Sequence, residues 1–149
     1  MTSSSANDTI VQEITIKAPA ARVFDALVDP AQRMTWWGVE GRFQVTHMES
    51  DLRPGGKWLM RGTGMGKPFT VSGTYQAVER PRLLVFTWRP NWQGDDTESV
   101  VRWELQEKDG MTLLRLTHSG LVTEPSRNSH RGWPQVLALL KGHAEAAAA

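Results

Sequence analysis

Between Ile10 and Lys17 apolar and polar residues alternate, with Ile10, Gln12, Ile14 and Ile16 on one face and Val11, Glu13, Thr15 and Lys17 on the other. A period of two is that of a half-buried strand. From Pro19 the spacing changes. Val23, Phe24, Leu27 and Val28 recur at helical intervals, and a proline does no harm in a helix's first turn, where its missing N–H would be unpaired anyway. Asp29-Pro30 stops this helix, and a second short one over Ala31 to Met34 leads into Trp36-Trp37-Gly38.

The pattern then returns to strands. Arg42–Glu49 and Lys57–Gly62 are joined through Leu52-Arg53-Pro54-Gly55-Gly56, where glycine permits backbone angles that other residues resist. A hairpin is predicted over Gly62 to Pro68, and beyond it Phe69, Val71, Gly73, Tyr75 and Ala77 share one face of a long strand. Glu79-Arg80-Pro81 turns the chain into the apolar run Leu83 to Trp88. Strands at about Glu98–Glu107 and Met111–His118 are linked by Lys108-Asp109-Gly110, a tight-turn signal. The last element is a helix from about Ser126 to Ala147, with Trp133, Val136, Leu137, Leu140 and Ala144 on one stripe. Pro134 predicts either a kink or a regular helix that starts near Trp133.

The order is one strand, two short helices, six strands and a long helix. No helices separate the later strands, which excludes a doubly wound parallel sheet and predicts an α+β fold. In it a curved antiparallel sheet of about seven strands wraps around the C-terminal helix, with two short helices after the first strand. Residues 1–9 read as a flexible tail and residues 10–149 as one domain.

Leu116-Thr117-His118-Ser119-Gly120-Leu121, followed by Gly132-Trp133-Pro134-Gln135-Val136-Leu137, joins a strand end to the start of that helix. With Trp36-Trp37 and Pro54-Gly55-Gly56, it resembles the Hsp90-ATPase-activator-like (AHSA1-type) domain family of the START/polyketide cyclase (SRPBCC, Bet v 1-like) superfamily. The resemblance runs from about Ile10 to Ala144. It implies a helix-grip fold with a space between sheet and helix, and a largely structural role for the motif that contains His118. It also raises an Hsp90-type chaperone as a partner and stress response as a setting. In the proteins that gave the family its name, however, the related domain acts with a separate Hsp90-binding domain for which these residues leave no room. The superfamily also contains aromatase/cyclases, which steer a reactive chain by cavity shape.

Charge and composition narrow the partners. Lys and Arg number 17 against 16 Asp and Glu, with no run of like charge, so nothing marks a nucleic-acid or anionic membrane surface. Cysteine is absent, which excludes disulfides, thiolate metal sites and thiol nucleophiles. The polar start of the chain lacks the order of a secretory signal, and no run approaches the ~18 apolar residues of a membrane span. A cytoplasmic protein is expected. Seven tryptophans against one tyrosine provide for a broad apolar wall.

The candidate wall follows from strand alternation. Val101, Trp103 and Leu105, then Leu114, Leu116 and His118, then Leu84, Phe86 and Trp88 each share a face, and Trp58, Met60, Phe69, Val71 and Tyr75 extend the set. Trp133 and Leu137 face them from the helix, and of Trp36 and Trp37 one is expected to plug the gap behind the short helices and the other to line the cavity mouth. Packed core and ligand lining both remain open for this set, since in such folds they grade into each other. Gly132 is expected to let the helix approach the sheet closely.

His118 has three readings: donation to a backbone carbonyl near the last helix, a polar anchor for a ligand, or acid–base catalysis, for which no partner carboxylate is evident. Gly62-Thr63-Gly64-Met65-Gly66-Lys67 lacks the spacing, the following Ser or Thr and the helix of a phosphate loop. His47 and Glu49 share a strand face without a third metal ligand, and no nucleophile elbow occurs. Arg42, Arg61, Arg89, Arg102 and Arg115 are expected on the solvent face. The expectation is a binding module for a hydrophobic, aromatic or lipid-like molecule, without cofactor or metal. The alternative is a cyclase- or hydrolase-like enzyme using His118, Tyr75 and Arg61. Edge strands and loop tryptophans make a homodimer compatible with either.

Overall fold

The computed structural model describes residues 9–39, 42–91, 98–121 and 132–148. Strand β1 (Ile10–Ile16) is followed by helices α1 (Ala20–Val28) and α2 (Pro30–Trp36), then by β2 (Gly38–Val39), β3 (Phe43–Ser50), β4 (Lys57–Gly64), β5 (Lys67–Glu79), β6 (Leu83–Pro90), β7 (Ser99–Lys108), β8 (Met111–Ser119) and helix α3 (Trp133–Ala148). The strands form one sheet in the order β1-β8-β7-β6-β5-β4-β3-β2, and every neighbouring pair is antiparallel. This is the α+β helix-grip architecture. The two-residue β2 adds an edge strand too short to give a periodic signal.

Local chemistry explains the joints. The backbone N–H of Asp29 closes α1 by donating to Asp25 at 2.8 Å, while its carboxylate accepts from the Ala31 N–H at 3.0 Å and starts α2. One residue thus ends one helix and caps the next, with Pro30 in the first turn where its ring is tolerated. The β4–β5 and β7–β8 hairpins turn through Met65-Gly66 and Asp109-Gly110, all four residues at positive φ, as two-residue turns with the twist of the flanking strands require.

The concave face of the sheet carries Met60, Val71, Tyr75, Phe86, Trp88, Val101, Trp103, Leu114 and Leu116, all buried. Helix α3 packs on β1 and on both short helices, and α2 packs on β3 near the opposite edge. The helices therefore bridge the two edges of a curled sheet. Leu140 and Ala144 are sealed in the core, Lys141 Nζ donates to the Thr15 carbonyl, and the Lys17 N–H donates to Glu145. No helix among the described residues is long and apolar enough to cross a membrane.

Set against the sequence reading, helix α3 follows one of the two alternatives for Pro134, one strand face needs correction and one irregularity is new. Helix α3 begins at Trp133, with Pro134 in its first turn and no kink needed, while the predicted stretch from Ser126 to Arg131 lies outside the described residues. The alternation through Ala77 breaks at an irregularity between Tyr75 and Ala77, so Val78 packs on the core in its place. A similar irregularity between Val45 and His47 turns Met48 inward and leaves His47 and Glu49 exposed.

Candidate functional site

At one end of the sheet, between β3–β6 and the first turn of α3, lies a cleft of about 240 Å³. Its walls are Trp37 from the end of α2, Phe43, Met60, Gly64, Phe69, Val71 and Trp88 from the strands, and Gly132, Trp133, Gln135 and Val136 from the helix side. Glycines make room for its rings. A Cβ at Gly62 would lie 2.1 Å from the Gln44 carbonyl oxygen and 2.7 Å from Phe69 Cζ, so only glycine lets the Phe69 ring cross β4. Gly64 leaves open the space between Phe43 and Phe69.

Behind the walls the tryptophans of the described residues form one connected cluster. Trp36 stacks on Trp37 at 5.2 Å, Trp37 lies 5.9 Å from Trp133 and 6.4 Å from Trp88, and Trp88 lies 5.8 Å from Trp58. Trp103 meets Trp133 edge to face at 5.8 Å. Offset and edge-to-face contacts of this kind add stability beyond the area buried. The Trp36-Trp37 pair divides its work: Trp36 donates to the Ala26 carbonyl at 2.8 Å and plugs the helix side, while Trp37 faces the cleft.

His118 is completely buried, and its partners differ from the expected backbone carbonyl. Trp133 Nε1–H donates to Nδ1 at 3.0 Å. An indole can only donate, so Nδ1 is the acceptor and the ring proton sits on Nε2. Nε2 then donates to Ser99 Oγ at 2.7 Å, and the Ser99 hydroxyl donates to the Trp88 carbonyl. This relay fixes the indole that forms the cleft's helix-side wall and ties it to β7 and β6. Its polar atoms are consumed in positioning Trp133.

The side chain that the strand pattern missed is Arg33. It is 3% exposed, with Nη2 donating to the Leu27 carbonyl, Nη1 at 3.6 Å from Met60 Sδ and the guanidinium 4.7 Å above the Trp37 ring. Among the described residues no carboxylate pairs with it. Burial pushes its pKa down to about 10, a cost on the order of 3 kcal/mol for holding the charge at neutral pH. Beside it Tyr75 Oη and Ser50 Oγ share a hydrogen bond at 2.6 Å, and burial pushes the phenol's pKa up, so it stays neutral. Helical spacing held the signal: Arg33 lies three and four positions before Trp36 and Trp37, on the face those rings bury.

Of the remaining residues read from sequence, Met60, Phe69, Val71, Trp88 and Trp133 line the cleft with Trp37. Trp36, Trp58, Tyr75, Phe86, Val101, Trp103, Leu116, His118 and Leu137 do not reach it. They are buried in the core behind it. Phe43, Gly64, Gln135 and Val136 were not anticipated as lining, because strand register and helix rotation decide them. Among the described residues, a Cβ at Gly132 would meet no atom within 4 Å, so this glycine does not bring the helix close to the sheet; it borders the cleft instead.

His118, Tyr75 and Arg61 do not converge, the first two being occupied as described and Arg61 exposed on the outer face. Arg42, Arg89, Arg102 and Arg115 are exposed as expected. His47 and Glu49 hydrogen-bond each other at 2.7 Å, and no group of three metal-ligating side chains occurs among the described residues. Trp92, which the sequence reading placed in a polar loop running from Asn91 to Asp96, lies outside them.

Comparison with known proteins agrees with this architecture. The chain matches the family described as activator of Hsp90 ATPase homolog 1-like protein over residues 17–145, and it belongs to that family. A solved protein from Chromobacterium violaceum is similar at 25% identity and a TM-score of 0.82, covering 93% of this chain and 98% of its own. An AHSA1-like protein from Aeromonas hydrophila is similar at 24% identity and a TM-score of 0.77, with 93% of each chain covered. CalU16 from Micromonospora echinospora is similar at 26% identity and a TM-score of 0.68, with 91% of this chain and 75% of its own covered. A search of curated proteins finds no match.

Proposed function

We propose that the protein binds one small molecule by an apolar ring in the cleft between β3–β6 and the start of α3. The observation that carries this reading is the cleft itself, about 240 Å³ and walled by Trp37, Phe43, Phe69, Trp88 and Trp133. Concave apolar spaces with few polar groups are the usual form of small-molecule sites. Size restricts the ligand. A cavity of about 150 Å³ accepts benzene, so this one suits an aromatic ring with a short substituent and not a long acyl chain.

The test is a titration with 3-phenylpropanamide followed in a 15N-resolved NMR spectrum. The indole N–H signals of Trp37, Trp88 and Trp133 are expected to shift together and saturably. Gly64→Leu places a side chain between Phe43 and Phe69 and is expected to weaken the affinity about tenfold, a loss near 1.4 kcal/mol. Unmoved indole signals, or an unchanged affinity in the Gly64→Leu protein, would remove the cleft as the binding site. Native mass spectrometry of freshly purified protein then looks for a molecule carried through purification.

A further inference from the structure

Arg33, Met48, Trp58, Tyr75 and Phe86 surround a second, smaller void, too narrow for a water molecule. Its polar groups are donors in excess. Among the described residues, Arg33 Nε–H and Trp58 Nε1–H are buried with no acceptor, and no acidic side chain pairs with the guanidinium. Burying an unpaired donor is costly, and burying an unpaired charge more so. The role of Arg33 at the end of α1, donating to the Leu27 carbonyl, accounts for Nη2. It leaves the bare Nε and the bare indole of Trp58 unexplained.

Met60 and Trp37 lie between Arg33 and the cleft. Met60 lines the cleft and also places its sulfur 3.6 Å from Arg33 Nη1. A thioether is a weak acceptor on an unbranched chain with three rotatable bonds, so it can move aside at low cost. Trp37 makes a second connection, since it lines the cleft while Arg33 lies over its ring. The missing group must be acceptor-only, planar and small. A carboxylate fits all three demands and matches the guanidinium fork.

We propose that Arg33 is the anchor for a ligand carboxylate, reached when Met60 swings aside, and that the molecule held in the cleft is therefore a small aromatic carboxylic acid. This rests on the cleft being the binding site. The ring lies against Trp37 and Trp88, and the acid group accepts from Arg33.

Isothermal titration of the full chain at neutral pH with 3-phenylpropanoate and with its amide, 3-phenylpropanamide, tests the anchor. The acid is expected to bind at least about tenfold more tightly than the amide, since hydrogen bonds between two charged partners are the strong ones. In Arg33→Met the acid falls to the affinity of the amide. The Arg33 Nε–H NMR signal of the unmodified protein gives a second readout that needs no variant: it moves with the acid and stays still with the amide. Equal affinities for acid and amide, or an Arg33 signal that the bound acid leaves in place, overturn the anchor while leaving the cleft reading intact. If neither compound binds, both fall.

Discussion

Trp133→Ala is expected to lower stability by about 3–5 kcal/mol, the range for deleting a large buried aromatic side chain. The indole is 4% exposed and touches Trp37, Trp88, Trp103 and His118. It stands where α3 meets the sheet, so neighbours from β6, β7, β8 and the end of α2 lose a contact at once. Trp133→Phe separates packing from hydrogen bonding. It keeps a ring but strips His118 Nδ1 of its donor, and one buried acceptor left unpaired costs about 1–3 kcal/mol. Chemical denaturation of the two variants measures both numbers. Equal stability of Trp133→Phe and the parent would show that the Trp133–His118–Ser99 relay contributes nothing to the fold.

The second large effect is expected at a residue with no side chain. In Gly73→Ala the new Cβ would lie 1.9 Å from the Thr87 carbonyl oxygen and 2.7 Å from Trp58 Nε1. The nearer atom is backbone and cannot rotate away, so β5 and β6 must separate. Regular pairing already lapses here, between Ser72↔Arg89 and Tyr75↔Phe86, and the Thr74 N–H donates to the Thr87 hydroxyl at 2.8 Å. The extra methyl works against that substitute bond. A cost of about 3 kcal/mol is expected, at the upper end for overpacking, with a matching fall in the denaturation midpoint. A loss under about 0.5 kcal/mol would mean that the two strands part far more easily than their pairing suggests.

Strand and helix periods were legible because each long element buries one face. The alternation in β1, β7 and β8 and the stripe on α3 carry through to the structure, and Asp29-Pro30 marks the helix joint. Three features escaped for a common reason: they arise from pairing across strands. The irregularities in β3 and β5 change which residues face inward, and nothing inside either strand announces them. The two-residue β2 exists only through its partner. The cleft was legible as a composition of aromatic residues but not as a place, since its position depends on how far α3 turns before packing. The readings of Arg61 and His118 attended to polar residues of the strands. The buried charge stood instead on a seven-residue helix whose buried face was marked by Trp36 and Trp37, three and four positions after Arg33.

The outermost strand β1 pairs only with β8 within the sheet, and α3 ties itself to the end of β1 and the residue after it through Lys141–Thr15 and Lys17–Glu145, contacts 126 and 128 positions apart. Elements from opposite ends of the described chain must therefore meet before the concave face is covered. During synthesis, β3 to β7 leave the ribosome with their apolar side bare, and the helix that shields it comes last. Closing such distant contacts is slow, and an uncovered sheet invites association with other chains meanwhile. The time spent waiting for α3 is when a nascent copy is most exposed to aggregation.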